Sequence, residues 1–201
     1  MQLERYGEFP KTLPVIVEED MFLYPFMIAP LFVSDEENLK AIEVAMESQD
    51  KLVFITASKT SMLGESDTGF YDVGVIGVIM RRVALPEGRV KILFQGLSRG
   101  RLLNVESKMP LQGKIEPIIS LPFDVARIEA ILAVLKERLR NLYNISQNFP
   151  QDLLKSINET MEPNRAADLI ASAIRLKKDQ AYKIFKENNP EERLLSLIEI
   201  V

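Results

Sequence analysis

Residues 13–33 read LPVIVEEDMFLYPFMIAPLFV, and this stretch decides the fold because prolines and an acidic turn divide its apolar residues into short segments. Its first five residues are apolar and partly β-branched, which predicts a short strand. The acidic residues 18–20 predict a turn, and residues 27–32 predict a second strand. Proline cannot donate to a sheet ladder, so Pro25 and Pro30 restrict that second strand to an edge or a bulge.

A helix follows this stretch, and polar residues mark its start. We expect Ser34 to cap the helix, with Glu37 completing a capping box. Apolar residues then recur at helical spacing and give the helix one apolar face: Leu39, Ile42, Ala45 and Met46. The β-branched residues 52–57 predict a strand directly after the helix.

Residues 70–101 read FYDVGVIGVIMRRVALPEGRVKILFQGLSRGR, which is typical of long hairpin strands. Gly74 and Gly77 lie inside the first of these strands and predict bending or close approach of a neighbouring backbone, as in a small closed barrel. A polar loop at residues 58–69 precedes them. The pattern predicts a strand at residues 71–83, a turn at 85–88 and a returning strand at 89–95. It then predicts a second turn at 96–98 and two final strands at 100–106 and 115–118.

After Pro122 the apolar residues change to helical spacing. Asp124 is a suitable N-cap for the first helix of this part, and Asn189 followed by Pro190 is a good start for the last one. The predicted helices cover residues 125–142, 151–160, 163–176, 179–187 and 190–201, with Pro150 and Pro163 opening the second and third.

The predicted fold is therefore α+β. An N-terminal β-rich pseudo-barrel with one helix, residues 1–120, precedes a C-terminal α-helical bundle, residues 121–201. No glycine or asparagine ends the last helix, so we expect a truncated linker helix whose end frays or pairs with another copy. The apolar side chains expected to lack partners there are Leu194, Leu195, Leu197, Ile198 and Val201.

Composition excludes several kinds of catalytic site. The 201 residues include no cysteine and no histidine, which removes thiolate zinc sites, cysteine nucleophiles and the usual general base. The net charge of −4 argues against nucleic acid as the main partner. The apolar stretch near residues 21–33 is shorter than the ~20 residues of a membrane span. The acidic first residues lack an apolar segment, so we do not expect them to act as a signal peptide. We expect a soluble, cytoplasmic protein with no catalytic, cofactor or metal site.

Two charged patterns suggest sites, although each has a simpler interpretation. The run Glu18-Glu19-Asp20 suggests paired carboxylates or Mg²⁺ binding, yet a solvated turn accounts for it. Basic residues on neighbouring strands suggest binding of nucleic acid or an acidic tail, yet no stacking aromatics alternate with them, and solvated strand faces account for them. These basic residues are Arg81, Arg82, Arg89, Lys91, Arg99 and Arg101.

Large apolar side chains around Pro25 are the main candidates for a binding site. A place in the core is the simpler interpretation for each of these side chains. The full apolar set comprises Phe22, Leu23, Tyr24, Phe26, Met27, Ile28 and Phe32. A segment that pairs poorly in a sheet can leave apolar side chains open to an unfolded protein. The residues chosen for binding a substrate protein are Phe22, Leu23, Tyr24, Phe26 and Met27.

Short motifs follow one another over most of the chain in an order that is more specific than any one of them. They include Leu13-Pro14-Val15, Tyr24-Pro25, Pro30-Leu31-Phe32-Val33, Tyr71-Asp72-Val73-Gly74, Leu85-Pro86-Glu87-Gly88-Arg89-Val90-Lys91, Gly96-Leu97-Ser98-Arg99-Gly100-Arg101, Glu162-Pro163-Asn164-Arg165-Ala166-Ala167-Asp168 and Asn189-Pro190-Glu191-Glu192-Arg193-Leu194. In this order they resemble the N-terminal domain of Lon, the ATP-dependent serine protease.

The resemblance implies a non-catalytic domain that selects unfolded or damaged protein substrates and helps to assemble a homo-oligomer. It places ATP, Mg²⁺ and Ser-Lys peptidase chemistry in other modules of the protease, and nothing in this chain matches the P-loop pattern. The resembled protease degrades misfolded and regulatory proteins. Two alternatives are a purely structural oligomerisation module and a nucleic-acid-binding surface of the same protease.

Overall fold

Two compact units form the molecule, Met1–Ile118 and Ile119–Val201. The computed structural model describes residues 3–59, 69–145, 152–159 and 162–201. In the first unit the strands are β1 (Lys11–Glu18), β2 (Ile28–Val33), β3 (Leu52–Ser58), β4 (Phe70–Ala84), β5 (Val90–Lys108) and β6 (Leu111–Pro117), and helix α1 (Glu36–Glu47) lies between β2 and β3. The second unit contains α2 (Val125–Ile145), α3 (Asp152–Glu159), α4 (Pro163–Ala173), α5 (Lys178–Lys186) and α6 (Pro190–Ile200). The predicted α+β fold class is confirmed.

Five strands of the first unit close into a barrel. The strand order is β2-β5-β4-β3-β1-β6, and a further pairing of β5 with β6 closes the ring. β1 and β3 are parallel, joined through β2 and α1, and the other pairings are antiparallel. β2 adds to β5 at the edge of the sheet, as its prolines predicted.

A bulge lets β5 pair with three neighbours. The turn predicted at residues 96–98 is wrong, because β5 runs without a break from Val90 to Lys108. Ile76 is opposite Ser98 and Gly77 is opposite Gly96, so Leu97 is the extra residue of a bulge. Leu97 is buried in the barrel core with Phe54, and this long-range contact overrides the local turn preference of its neighbours. Because bulges bend strands, one half of β5 can pair with β2 and the other with β6.

Glycines allow the strands to pack closely, as predicted. A Cβ at Gly74 would lie 2.3 Å from the carbonyl oxygen of Ile55, and one at Gly77 would lie 2.3 Å from that of Gln95. Neither position has room for a side chain. The predicted turn at residues 85–88 is present as a short 3-10 segment.

Helix α1 is capped one residue later than predicted. The N-cap is Asp35, whose carboxylate accepts from the Asn38 backbone N–H at 2.9 Å, so the prediction of a capping box from Ser34 to Glu37 is wrong. Both residue types cap helices well, and the sequence does not distinguish them. The Asn38 side-chain amide accepts from the Val17 N–H at 3.0 Å and donates to the Val17 carbonyl at 2.9 Å. These two bonds attach α1 to β1 at a point past Pro14, the last β1 residue that pairs with β6.

The helices of the second unit begin where their caps predicted. The Asp124 carboxylate accepts from the Arg127 N–H at 3.2 Å, and the Asn189 side chain accepts from the Glu191 N–H at 2.9 Å. The polar loop predicted at residues 58–69 falls largely on residues 60–68, and the helix start predicted at Pro150 falls within residues 146–151. Both ranges lie outside the described residues.

The last helix is packed rather than unpartnered. Leu194 and Leu197 are fully buried, so the expectation that they lack partners is wrong. Next to them, the buried Arg193 guanidinium bonds the Asp168 carboxylate at 2.6 Å, the Asn164 side-chain oxygen at 2.8 Å and the Ile184 carbonyl at 2.9 Å. Two of the motifs from the sequence analysis, one on α4 and one on α6, therefore meet at a single arginine.

Candidate functional site

The five residues chosen for substrate-protein binding divide between the core and the surface. Phe22, Leu23 and Tyr24 are buried, each exposed by 5% or less. Phe26 is 42% exposed, and Met27 is half-buried. Only the last two present side chains to solvent, and a role for any of the five in binding remains a prediction.

A tight turn carries Phe26 at the surface. The Met27 N–H donates to the Tyr24 carbonyl at 3.3 Å, with Pro25 and Phe26 between them. Phe26 has φ of 66°, which is the geometry of a type II turn with proline at its second position. Glycine is usual at the third position, and a bulky residue there is an outlier that favours a functional hypothesis. The turn packs over Gly96, where a Cβ would lie 2.6 Å from the Tyr24 carbonyl oxygen.

An exposed apolar face begins directly after this turn. On β2, exposed and buried residues alternate: Ile28, Pro30 and Phe32 are exposed, and the residues between them are buried. Residues directly opposite each other in a sheet share a face. The ladder places Phe32, Lys91 and Val83 in one row, Pro30, Leu93 and Arg81 in the next, and Ile28 with Gln95 in a third. Val78 is also opposite Gln95, but it packs against the barrel core and is not counted with them. We call these eight positions the ribbon face.

The ribbon face exposes several large apolar side chains to solvent. Phe32 is 69% exposed, Ile28 is 57% exposed and Val83 is 36% exposed. Contiguous exposed apolar surface of this kind commonly marks a site of protein interaction. Met80 is the extra residue of a second bulge beside this face and is also exposed.

The outer edge of β2 is a poor template for another strand. The Gly96 N–H of β5 donates to the Met27 carbonyl, just before β2, at 2.9 Å. In an antiparallel ladder only every second residue bonds the partner strand through its backbone, and the residues between direct their N–H and C=O groups away from it. This alternation turns the backbone groups of Ile28, Pro30 and Phe32 away from β5. Pro30 therefore loses no bond within the sheet, and it removes the middle donor that an incoming strand would need.

The basic strip predicted on neighbouring strands is divided by the fold. Lys91 and Arg81 belong to the ribbon face, whereas Arg82 is opposite Ile92 on the other side of the ribbon. Arg99 is buried and Arg101 half-buried. The structure therefore brings two of the six basic residues together with exposed apolar side chains and distributes the others elsewhere.

The acidic run Glu18-Glu19-Asp20, predicted to be a solvated turn, begins at the last residue of β1 and includes one carboxyl group with a shifted pKa. Burial raises the pKa of the Glu18 carboxyl above its ordinary value, and the charges of Asp20 and Glu19 add to this, while backbone hydrogen bonds at the same two residues oppose it. Among the residues described, no group of three or more acidic side chains is arranged to hold a metal ion. None of the described helices is long and apolar enough to cross a membrane.

Comparison with known proteins identifies the family. The family model described as the substrate-binding domain of ATP-dependent protease La (Lon) matches residues 12–201. The chain belongs to the Lon substrate-binding domain family. The match is to the non-catalytic, substrate-binding part of these proteases, as the resemblance of the motifs implied.

Curated relatives of this Lon domain are much longer than the chain itself. The Lon protease of Helicobacter pylori is 49% identical over 197 residues, which cover 96% of this chain and 23% of the relative. The Lon protease of Campylobacter concisus is 47% identical over 203 residues, which cover 100% of this chain and 25% of the relative. The chain therefore spans about a quarter of the length of these relatives.

Solved structures show the same fold at low sequence identity. The N-terminal domain of Lon protease from Mycobacterium avium complex superposes with a TM-score of 0.73 at 19% identity, covering 94% of this chain and 97% of that one. A Lon N-terminal domain protein from Xanthomonas campestris superposes with a TM-score of 0.62 at 16% identity, covering 94% of this chain and 98% of that one. These likenesses concern the fold alone.

The helical unit of this Lon domain contains a second concave surface. A groove of about 650 Å³ lies along α2 and α3, with Ile128, Leu132 and Ile157 among its lining residues. Lys136 and Arg140 also line it. Neither the motifs nor the composition predicted this groove.

Sequence reasoning also missed most of the ribbon face. Ile28 and Phe32 belong to the predicted apolar set but not to the five predicted binding residues, and no sequence pattern pointed to Val83 or Leu93. The available signal was the alternation along β2, because Ala29, Leu31 and Val33 form one apolar set and Ile28, Pro30 and Phe32 form another. A strand that is apolar on both faces either lies between two layers or leaves one face open.

Proposed function

We propose that this chain recognises protein substrates for an ATP-dependent protease of the Lon family, and that unfolded segments bind at the ribbon face. The observation that supports this most is the exposure of Phe32 and Ile28 in one apolar face beside the turn that presents Phe26. Unfolded and damaged proteins share exposed apolar side chains, so a surface of this kind can recognise them without reading a particular sequence.

Recognition on this surface uses side chains more than backbone pairing. Pro30 impairs strand addition at the edge of β2, so a bound segment lies across the face rather than extending the sheet. Ordering each residue of the segment costs about 1–2 kcal/mol of backbone entropy. The affinity of a single domain is therefore modest, and several domains in one assembly would bind a client through avidity.

The remaining functions belong to the complete protease. We propose that the parent protein is a cytoplasmic homo-oligomer that degrades misfolded and regulatory proteins. In this proposal ATP and Mg²⁺ bind to an ATPase module, and a Ser-Lys peptidase module cuts the substrate. The chain covers 23% to 25% of its Lon relatives, which leaves room for both modules elsewhere in the polypeptide.

The test replaces one exposed residue of the ribbon face and measures binding and stability together. Phe32→Ser removes an exposed ring and its contact with the Lys91 amino group, so the free energy of unfolding should fall by no more than about 1 kcal/mol. Binding to a reduced, carboxymethylated model protein that cannot refold should weaken several-fold. The matched control is Leu103→Ser, because Leu103 is 46% exposed on the half of β5 that pairs with β6.

Two results would contradict the proposal. One is a Phe32→Ser variant that keeps the parent affinity for the unfolded protein. The other is an equal loss of affinity in the Leu103→Ser control, which would indicate nonspecific adhesion to any exposed apolar residue.

A further inference from the structure

The charges on the ribbon face all have one sign. Two of its eight positions hold charged residues, Lys91 and Arg81, and both are basic. The Lys91 amino group lies 5.5 Å from the centroid of the Phe32 ring, within the range of a cation–π contact. Arg81 is exposed in the same row as Leu93 and Pro30. Each cation therefore stands beside an apolar position where a client side chain would pack.

We propose that the ribbon face selects protein segments in which acidic residues neighbour apolar ones, and that it discriminates against segments carrying lysine or arginine there. This inference rests on the proposed function, since it concerns the same surface. A segment that packs apolar side chains against Phe32 and Ile28 brings its adjacent side chains near Lys91 and Arg81. Carboxylates are attracted at those positions, and cations are repelled.

The same charges argue against a second copy of the chain as the occupant. A symmetric contact between two ribbon faces would bring Lys91 and Arg81 of both copies into one interface, and none of the eight positions supplies an acid to pair with them. Single-stranded nucleic acid is also a poor fit. Phe32 is the one aromatic residue among the eight positions, whereas such binders stack successive bases on several aromatic side chains.

The first experiment needs no mutation. Three fluorescent peptides share one apolar segment of phenylalanine, leucine and isoleucine and differ only in whether aspartate, serine or lysine residues flank it. Dissociation constants are measured with the intact chain at low and at high salt. Each exposed charge pair changes Kd by about 1.4- to fivefold, and two attractive pairs in the acidic peptide replace two repulsive pairs in the basic one, so the acidic peptide should bind at least about fourfold more tightly at low salt. Salt screens exposed charges and should reduce this preference.

The second experiment locates the preference on the ribbon face. The double variant Arg81→Gln with Lys91→Gln should bind the acidic and neutral peptides equally. Its matched control is Arg82→Gln with Lys108→Gln, which makes the same change in net charge with two exposed residues off the face. The control should keep the preference of the parent chain. All four positions are at least partly exposed, and thermal midpoints verify that both variants remain folded.

The outcomes separate this inference from the proposed function. If the neutral peptide binds as tightly as the acidic one, the charge preference is wrong and the recognition of apolar segments stands. If none of the three peptides binds, both proposals are wrong. If the control variant loses the preference as fully as the ribbon-face variant, net charge rather than the ribbon face causes it. Tighter binding of a single-stranded oligonucleotide, lost in the ribbon-face variant, would also overturn the inference.

Discussion

The buried ion pair between Arg193 and Asp168 gives a quantitative prediction for the helical unit. Its two side chains are 0% and 5% exposed and 2.6 Å apart. Asp168→Asn keeps the shape of the side chain and removes its charge, which leaves a buried guanidinium without its counter-ion. Such a loss costs about 3–5 kcal/mol, a large fraction of the 5–15 kcal/mol by which a domain is typically stable.

A double substitution separates the ion pair from the rest of the network. Arg193→Met with Asp168→Leu removes both charges of the pair, so neither is left buried without its partner. The Ile184 carbonyl, near the end of α5, and the Asn164 side-chain oxygen then lose the bonds that they accept from Arg193. Asn164 is half-buried and its oxygen can bond water instead, whereas an unsatisfied buried carbonyl costs about 1–3 kcal/mol. We therefore expect the double variant to lose about 1–3 kcal/mol, much less than the sum of the two single variants.

Urea unfolding followed by far-UV circular dichroism is the suitable assay. The chain has no tryptophan, and five of its six described α-helices lie in the helical unit. A loss below about 1 kcal/mol for Asp168→Asn would refute the reasoning, because it would mean that water reaches the guanidinium. A double variant as unstable as the sum of the single variants would also refute it, because the two charges would then act independently.

Two further predictions concern the β-rich unit. Gly96→Ala should destabilise it by about 1–3 kcal/mol, because a Cβ would lie 2.6 Å from the Tyr24 carbonyl oxygen, and a variant with the parent thermal midpoint would contradict this. Burial raises the pKa of Glu18, so the folded state holds its proton more tightly than the unfolded state and stability falls as pH rises from about 4.5 through the raised pKa. Glu18→Gln should therefore raise the urea midpoint at neutral pH, with a gain that shrinks below the ordinary pKa of 4.5, and a lower midpoint at neutral pH would contradict it.

Local signals were sufficient for most of the fold. Asp124 and Asn189 marked their helix starts because a capping side chain bonds backbone groups two or three residues away, which a sequence displays directly. Asp35 was missed because it is adjacent to Ser34 and equally able to cap. The strand conformation of Leu97 was not predicted for a different reason. Its flanking residues favour a turn, whereas its burial comes from packing in the barrel core with Phe54, which is distant in the sequence.

The candidate site was less predictable because burial depends on which layers cover a strand. Phe22, Leu23 and Tyr24 have the composition of an open apolar segment, yet they belong to the core. Nothing local distinguishes them from Ile28 and Phe32. That distinction comes from the pairing of β2 with β5, a contact between residues more than 50 positions apart in the chain. The network around Arg193 depends in the same way on contacts between α4, α5 and α6.

The ribbon face combines two requirements that oppose each other. An apolar face must stay exposed if it is to meet unfolded proteins, yet an exposed apolar strand at the edge of a sheet promotes pairing between copies. Pro30 removes an outward donor from that edge without breaking a bond to β5, and Lys91 and Arg81 place like charges where two copies would meet. Proline and lysine are both residues that natural sheets use to protect their edges. We infer that Pro30, Lys91 and Arg81 together leave the face accessible to unfolded proteins and prevent it from pairing with another copy of the chain. In this interpretation the poor pairing of the β2 edge is what allows an apolar face to remain exposed.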